Sequence, residues 1–276
     1  MYTQLQLRDS ARAPVTLSTL ARMRAEHVPI AALTCYDASF GVLVDEADAD
    51  IVLVGDSLGM VIQGHDTTVP VTMDDMVYHT RAVSRGVHRP FFIADLPFMS
   101  YASNEQALAN SVRLMQEGGA RMVKLESGAE QVRIVEFLTS HDIPVCAHLG
   151  LRPQSVHKTG GFRVQGRQHD AAARILQEAK DLEAAGADIV LLECVPNEVG
   201  AAVTQALSVP VIGIGAGPHV DGQIQVIYDV LDITSGRKPK FVRNFMQGHD
   251  SPLAGLRAFV AAVKSREYPG PEHCFS

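Results

Sequence analysis

The stretch that decides the fold reads Ile51-Val52-Leu53-Val54-Gly55-Asp56, a short apolar run that leads directly to an acid. The same pattern recurs three times, in Phe91–Asp95, Met122–Glu126 and Ile189–Glu193. Apolar runs of this length, rich in Val and Ile, are typical of buried parallel strands. A carboxylate at the end of such a strand is costly to bury alone, so a shared cation or a catalytic task explains it best. The pattern predicts a metal-centred active site.

Two kinds of strand start alternate along the chain. In one kind, a proline stands at or near the first strand residue (Pro29, Pro90, Pro144 and Pro210). In the other, the small residues of a helix end come first (47–50, 118–121 and 185–188). The two kinds interleave strictly and predict seven strands, and an eighth is predicted near residues 228–231.

Amphipathic helical stretches separate these strands, over residues 73–85, 105–117, 129–140, 171–185 and 198–207. Residues 104–105 and 170–171 have the character of helix starts. Repeated strand–helix alternation predicts an α/β protein with a parallel sheet, and eight units close naturally into a barrel of about 250 residues. We therefore predict one (β/α)8 TIM barrel domain over residues 1–276, with a short polar N-terminal extension and a C-terminal helical tail. A doubly wound open sheet is the main competitor, and the alternating strand types favour the barrel.

Composition narrows the function classes. A net charge of −7 argues against nucleic-acid binding, because the phosphate backbone would be repelled. Residues 1–13 contain no apolar signal segment, and no later stretch has the length to cross a bilayer. The four cysteines form no CxxC pair, which favours reduced, buried thiols in a cytoplasmic protein (Cys35, Cys146, Cys194 and Cys274).

In a barrel, active-site residues gather at the C-terminal ends of the strands. Asp56, Asp95, Glu126 and Glu193 would then converge from the second, third, fourth and sixth strands. Hard oxygen ligands suit Mg²⁺, although Mn²⁺ or Co²⁺ could substitute, and the lack of an HxH or HExxH pair makes zinc a weaker choice. The alternative is that these acids merely cap helix N-termini.

Two further polar residues belong to the same strand ends. Lys124 precedes Glu126 by two residues, so both side chains leave the strand on one face. Its ammonium group could contact a substrate carboxylate or oxo group, form a Schiff base, or pair with an interior acid. His148 ends the fifth strand and could donate to a substrate oxygen or relay protons, or it could be a structural residue.

Three loops are candidates for ligand contact. Residues 55–60 join the second strand to a long stretch before the next helix, and residues 150–168 include the glycine- and cation-rich segment 158–167. Loops of this length in a compact domain are often lids or binding loops, although a surface excursion is equally simple. The segment 213–217, Gly-Ile-Gly-Ala-Gly, is either a phosphate cradle or a tight turn.

Long strings of this sequence resemble the ketopantoate hydroxymethyltransferase (3-methyl-2-oxobutanoate hydroxymethyltransferase) family. The resemblance runs from about residue 34 to residue 275 and includes the segments 55–60, 78–79, 94–101, 123–126, 148–151, 160–166, 192–193, 213–217 and 268–270. Departures are modest. Ser127 stands where the family commonly has Gly, Arg152 where Thr is frequent, Asp232 where Gly is usual, and Gln225 where an aliphatic residue is usual. The first two bear on substrate positioning.

The resemblance implies a barrel of the phosphoenolpyruvate mutase/isocitrate lyase type. It implies transfer of a one-carbon unit from 5,10-methylenetetrahydrofolate to 3-methyl-2-oxobutanoate, giving 2-dehydropantoate in pantothenate biosynthesis. It also implies a homo-oligomer, a decamer. Matched residue by residue, Asp56, Asp95 and Glu126 form the Mg²⁺ site, and Glu193 is the proton acceptor. The oxo acid is contacted by Asp56, Ser57, Asp95 and Lys124, with His148 nearby.

Three functions therefore remain distinct at the level of the sequence. The first is a Mg²⁺-stabilised enolate of the oxo acid that adds to the folate-derived carbon. The second is a Schiff-base aldolase or lyase on a 2-oxo acid, with Lys124 as the nucleophile. The third is a non-catalytic barrel that binds oxo acids. The loop 158–167 is a hypothesis for the contact with the glutamate tail of the folate.

Overall fold

The computed structural model describes residues 13–236 and 238–276. Eight parallel strands hydrogen-bond in sequence order and close into a barrel, because the eighth strand pairs with the first. The strands are β1 Ile30–Thr34, β2 Ile51–Val54, β3 Phe91–Asp95, β4 Met122–Glu126, β5 Val145–Gly150, β6 Ile189–Glu193, β7 Val211–Ile214 and β8 Gly222–Gln225. The closed barrel confirms the predicted fold and excludes the open sheet.

Helices connect and cover these strands. They are α1 Leu17–Ala25, α2 Ala38–Glu46, α3 Leu58–Val61, α4 Met73–Ser84, α5 Asn104–Gln116, α6 Val132–Thr139, α7 Val156–Thr159, α8 His169–Ala184, α9 Asn197–Ala206, α10 Ile227–Val230 and α11 Pro252–Lys264. Short 3₁₀ turns lie at Ala129–Gln131, Pro153–Ser155 and Pro271–His273. Among the described residues, no helix is both long and apolar enough to cross a membrane.

Side chains at the helix starts explain several of these boundaries. At α4, the hydroxyl of Thr72 accepts from the backbone of Asp75, whose carboxylate accepts from Thr72 in return. Ser103 caps α5, and Ser251 caps α11 ahead of a proline in its first turn. The predicted starts at 104 and 170 are one or two residues late, since the residues before α5 and α8 are Ser103 and Gln168.

The prediction of an eighth strand near 228–231 is wrong. That segment lies largely in α10, and β8 is the polar sequence Gly222-Gln223-Ile224-Gln225. The strand is fully buried, and the nitrogen of each glutamine amide has a partner: Gln223 Nε2 donates to the carbonyl of Gly217 and Gln225 Nε2 to the hydroxyl of Tyr268, whereas Gln225 Oε1 finds no partner among the described residues. A buried strand that contains hydrogen-bonded polar residues does not appear as an apolar run in the sequence, so the pattern used for the other strands misses it.

Two apolar layers hold the barrel together. The inner layer fills the barrel with alternate strand residues, among them Ile51, Leu53, Ile93, Leu191 and Ile212. The outer layer packs the opposite strand faces against the helices. Because the strands are buried on both faces, most of them are predominantly apolar in sequence, with Lys124 in β4 and His148 in β5 as charged or polar interruptions. The barrel is therefore a rigid frame that presents its strand ends.

Other sequence expectations fall in or beside this frame. All four cysteines are buried free thiols. The glycine-rich segment 213–217 comprises the last two residues of β7 and the bend that follows, and a Cβ atom at Gly217 would lie 2.4 Å from Asn197 Oδ1. The helical tail corresponds to α11. The predicted polar N-terminal extension lies, apart from Ala13, outside the described residues, so the domain limits of 1–276 stay a prediction.

Candidate active site

The residues singled out in the sequence meet at one mouth of the barrel. Asp95, Glu126 and Glu193 are the last residues of β3, β4 and β6, and Asp56 lies two residues beyond β2. Lys124 and His148 stand in the neighbouring strands β4 and β5, where His148 pairs with Glu126 and Lys124 with Asp95. All of these side chains except that of Glu193 are buried, and the side chain of Glu193 is 17% exposed.

An ion pair lies at the centre of this mouth. Lys124 Nζ is 2.6 Å from Asp95 Oδ1, and both side chains are almost fully buried. The other oxygen of Asp95 accepts from the backbone N–H of Asp56 at 3.0 Å. The expected pairing of Lys124 with an interior acid is thus present. Asp95 fixes both the ammonium group and the chain segment that carries Asp56.

A chain of contacts leads from this ion pair to Glu193. Lys124 Nζ lies 3.4 Å from His148 Nδ1, and His148 Nε2 lies 3.3 Å from Glu193 Oε2. An ammonium group can only donate, so Nδ1 accepts and a neutral ring carries its proton on Nε2, facing Glu193. Burial and, next, the charge of Lys124 hold the pKa of His148 well below its ordinary value. His148 is therefore a neutral ring whose Nε2 lies close to Glu193 Oε2 but has no hydrogen-bond partner among the described residues.

Three carboxyl groups of the mouth, those of Asp56, Glu126 and Glu193, have raised pKa values and so bind protons more tightly than ordinary acids do. Burial, reinforced by the charge of Asp95, raises the pKa of Asp56 from 3.8 to about 7. Burial and the charge of Asp56 raise the pKa of Glu126 well above its usual range. Burial raises the pKa of Glu193 to about 7. A carboxylate of this kind is suited to proton abstraction near neutral pH.

For Lys124, burial and the neighbouring charges change the pKa in opposite directions. Burial works to lower its pKa, but the carboxylates of Asp95 and Asp56 outweigh burial and raise the pKa overall. The side chain is therefore an ammonium ion at neutral pH. A fixed positive charge at this point can face an anionic substrate, but it is a poor nucleophile.

Two residues of the mouth, Gln154 and Tyr101, are not predicted from the sequence. Gln154 Nε2 donates to Asp56 Oδ2 at 2.8 Å, and the Gln154 N–H donates to both oxygens of Glu126 at 3.0 and 3.1 Å. The Tyr101 hydroxyl donates to Gln154 Oε1 at 2.5 Å. Gln154 follows Asp56 by 98 residues, so no local pattern joins them.

Ser57 occupies another side of the mouth, at the start of α3. Its hydroxyl is 2.8 Å from the hydroxyl of Tyr36, and the ring of Tyr36 stacks on Tyr228 at 5.8 Å between centroids. The Tyr36 carbonyl lies 2.7 Å from His79 Nδ1. Tyr36 is a further residue that sequence reasoning missed, since it stands two residues beyond β1 without any charge.

The carboxylates of Asp56, Asp95 and Glu126 are the candidate ligands for a divalent cation. Within residues 13–236 and 238–276, no three or more His, Cys, Asp and Glu side chains are arranged so that they alone could hold a metal. Asp56, Asp95 and Glu126 nevertheless offer hard oxygens in one buried place where like charges already raise proton affinity. Mg²⁺ takes one or two protein carboxylates and completes its shell with water or substrate oxygens. The residues fit that mode of binding.

Two of the residues that depart from the family pattern, Ser127 and Arg152, lie beside the mouth. Ser127 Oγ donates to the carbonyl of Leu125 at 3.0 Å, and Arg152 Nη1 donates to the Ser127 carbonyl at 3.2 Å. Arg152 also lines a cleft of about 330 Å³ whose wall includes Glu126 and Phe98. This cleft gives a small organic ligand room next to Glu126. The segment 158–167 begins with the last two residues of α7, and the N–H of Gln165 in the loop that follows donates to the carbonyl of Cys194 at 2.9 Å.

The sequence is similar to known proteins along nearly its whole length. A family model described as ketopantoate hydroxymethyltransferase matches residues 14–271. A 3-methyl-2-oxobutanoate hydroxymethyltransferase of Alkalilimnicola ehrlichii is 56% identical over 96% of this chain and 95% of its own length. The protein of that name from Marinomonas sp. is 53% identical over 100% of this chain and 99% of its own.

Solved structures agree on the fold. Oxaloacetate acetylhydrolase in complex with 3,3-difluorooxalacetate matches with a TM-score of 0.59 at 14% identity, over 93% of this chain and 98% of that one. The structure of 2,3-dimethylmalate lyase, a PEP mutase/isocitrate lyase superfamily member, matches with a TM-score of 0.55 at 18% identity, over 75% and 79%. At these identities the likeness shows a shared barrel architecture.

Proposed function

The chain belongs to the ketopantoate hydroxymethyltransferase family, an enzyme family, and from this premise we propose its reaction. The enzyme moves a hydroxymethyl group from 5,10-methylenetetrahydrofolate to 3-methyl-2-oxobutanoate and gives 2-dehydropantoate for pantothenate biosynthesis. One observation carries the proposal: a buried ammonium group, Lys124, faces one mouth together with Glu193, a carboxyl group whose pKa is raised to about 7. This pair suits the formation and stabilisation of an enolate.

The proposed metal is Mg²⁺, held by Asp56, Asp95 and Glu126. When bound, it acts as a Lewis acid that draws electron density from the oxo acid and makes the C3 proton more acidic. Asp95 also retains Lys124 at 2.6 Å, so the positive charge of Lys124 stays next to the metal ligands. Ser57, at the start of α3, contributes a hydroxyl whose direction is set by Tyr36.

Glu193 is the proposed proton acceptor. Its carboxylate takes the C3 proton, and the electron pair left on C3 forms the new bond to the methylene carbon of the folate. Both bonds between that carbon and the two folate nitrogens break: the new carbon–carbon bond replaces one, and a bond to the oxygen of water replaces the other. The two nitrogens take up the proton from C3 and the proton released by water, which leaves tetrahydrofolate. Lys124 places positive charge near the oxygen that becomes negative, and the neutral ring of His148 lies 3.3 Å from the carboxylate of Glu193.

The state of Lys124 argues against the Schiff-base alternative. A lysine attacks a carbonyl as the neutral amine, whereas the carboxylates of Asp95 and Asp56 raise the pKa of Lys124 and keep it protonated. The alternative would give covalent trapping of substrate on Lys124 by borohydride and activity that survives EDTA. The proposal expects neither result.

Replacement of Glu193 by Gln tests the assignment of the base. Gln keeps the shape of the side chain but cannot accept the proton, so Glu193→Gln should lose C3 proton exchange in 3-methyl-2-oxobutanoate by at least about a hundredfold. Mg²⁺-dependent binding of the oxo acid, measured by calorimetry, should remain. The exposed Glu117→Gln is the matched control and should exchange like the wild type. Unimpaired deuterium exchange in Glu193→Gln would remove Glu193 as the base.

Assembly and location complete the proposal. Family membership supports a homo-oligomer, a decamer, in the cytoplasm. Light scattering of the purified protein tests the assembly, because a decamer has ten times the mass of one chain. A monomer in solution at micromolar concentration would contradict this part of the proposal and leave the proposed chemistry standing.

A further inference from the structure

Gln154 occupies an unusual place for a loop residue. It lies in the 3₁₀ turn Pro153–Ser155 that follows β5, yet it is only 5% exposed. Its side chain points toward the carboxylate of Asp56 rather than into solvent. A buried amide must find partners for both of its ends, or it destabilises the fold.

The side-chain amide finds three partners. Nε2 donates to Asp56 Oδ2 at 2.8 Å and to the carbonyl of Leu96 at 3.0 Å, and Oε1 accepts from the Tyr101 hydroxyl at 2.5 Å. The Leu96 carbonyl can only accept, which fixes the orientation of the amide. The bond to Asp56 uses Oδ2 and leaves Oδ1 for another ligand.

The backbone of Gln154 reaches the second carboxylate. Its N–H is shared between the two oxygens of Glu126, at 3.0 and 3.1 Å. One residue thus contacts an acid beyond β2 and an acid at the end of β4, on the two sides of Asp95. A loop that served packing alone would be satisfied by an apolar side chain, which could not hold a buried carboxylate in one direction.

We infer that Gln154, itself held by Tyr101, is a positioning residue. It orients the carboxylate of Asp56 through its side chain and the carboxylate of Glu126 through its backbone N–H, so that both can bind a divalent cation. The inference rests on the proposed function, because it takes these two acids as cation ligands. Residues that orient metal ligands from behind change metal affinity by about 10–100-fold when they are replaced. The contribution of the side chain acts through Asp56, and that of the backbone acts through Glu126.

Cation affinity without substrate is the direct test. Mn²⁺ prefers the same oxygen ligands as Mg²⁺, and its free concentration can be followed by electron paramagnetic resonance. Gln154→Met keeps the length of the side chain and removes both amide ends, so Mn²⁺ should bind about tenfold or more weakly than in the wild type. Gln177→Met, the same change at the exposed pair with Asp181 on α8, is the matched control and should bind like the wild type.

Tyr101→Phe is a second and smaller change that tests the same inference. It removes one hydroxyl, so it should weaken Mn²⁺ binding by a smaller factor and should have no further effect in the Gln154→Met background. Raising the Mg²⁺ concentration should restore most of the turnover of Gln154→Met, a rescue that a merely structural defect would not show. If Gln154→Met fails to fold, as judged by circular dichroism, Tyr101→Phe and its Mg²⁺ rescue carry the test.

The outcomes separate this inference from the proposed function. Wild-type Mn²⁺ affinity in a folded Gln154→Met variant, or no binding of Mn²⁺ to the wild type, overturns the inference. Additive effects in the double variant overturn the role of Tyr101. A wild type that binds Mn²⁺ but never exchanges the C3 proton contradicts the proposed function, while the comparison of affinities still decides the role of Gln154.

Discussion

At the scale of single residues, the charge of Lys124 lets several carboxyl groups share one small volume. Asp95 lies 2.6 Å from its ammonium group, and the charge of Lys124 opposes the rise in the pKa of Asp56, Glu126 and Glu193. Like charges this close cannot all ionise without a cation. Additional positive charge, such as a divalent ion carries, would therefore stabilise the ionised carboxylates of the mouth.

The pH dependence of proton abstraction follows from Glu193. Its pKa is raised to about 7, and only the ionised form can accept a proton. At saturating Mg²⁺ and oxo acid, the rate of C3 exchange should rise with pH between about 6 and 8, reach half its maximum near 7, and level off above about 8. Rates from NMR in deuterated buffers measure this profile. A rate that is flat or falls with pH over that interval would speak against Glu193 as the base.

Charged residues of the mouth could be predicted from the sequence, and neutral ones could not. Asp95, Glu126 and Glu193 end apolar strands, so their charge stands out against the run before them. Gln154 and Tyr36 carry no charge and lie in loops, where no periodicity marks them. Only the closure of the barrel brings Gln154 to Asp56, across 98 residues. A glutamine in a long loop gives a single sequence no means of finding it.

At the scale of elements, the same physical rule explains both the success and the failure of the strand predictions. Seven strands are predicted because burial on both faces makes them predominantly apolar, even though β4 contains Lys124 and β5 contains His148. The eighth escapes because β8 satisfies Gln223 and Gln225 with internal hydrogen bonds. The five helices predicted from amphipathic stretches are all present, and their ends differ from the prediction by up to three residues because capping is local and fraying is common.

Gly150, at the end of β5, lies where β5 approaches the end of β6 that carries Glu193. Its φ is +90°, and a side chain there would lie 2.3 Å from the Glu193 carbonyl. Gly150→Ala should lower the free energy of unfolding by about 2–5 kcal/mol, combining left-handed strain with overpacking. Gly248→Ala, at φ +84° with nothing nearby, is the control and should cost about 1–2 kcal/mol.

Urea denaturation of both variants measures these costs, and C3 exchange reports the position of Glu193. The loss of exchange should accompany Gly150→Ala and not Gly248→Ala. Equal stability of the two variants would show that β5 and β6 can separate without consequence, contrary to the close approach of Gly150 to Glu193.

At the scale of the whole molecule, stability and cation binding are linked through the same carboxyl groups. The pKa of Asp56 is about 7 in the folded protein and ordinarily 3.8, so the metal-free folded state holds an extra proton between these values. That contribution to stability is fully present below about pH 4 and is lost as the pH rises through about 7. A divalent cation replaces the proton, so its stabilising effect should grow over the same interval.

Thermal unfolding with and without Mg²⁺ measures this linkage. The rise in Tm that Mg²⁺ produces should be larger at pH 8 than at pH 6, and about 2.7 kcal/mol of stabilisation is expected at a hundred times the Kd. Sodium chloride at matched ionic strength is the control for general charge screening. Asp56→Asn should lose most of the effect. A rise in Tm that is equal at both pH values would contradict the placement of the cation at these acids.

The central claim is that this mouth forms the enolate of a 2-oxo acid with the help of a divalent cation. The most direct measurement follows the C3 proton of 3-methyl-2-oxobutanoate by NMR in deuterated buffer, with enzyme and Mg²⁺, with enzyme and EDTA, and without enzyme. The account predicts exchange with Mg²⁺ that falls to the rate without enzyme in EDTA. Exchange that survives EDTA would favour a Schiff base on Lys124. Oxo-acid binding without any exchange would contradict the account and indicate a barrel that binds its ligand without reacting.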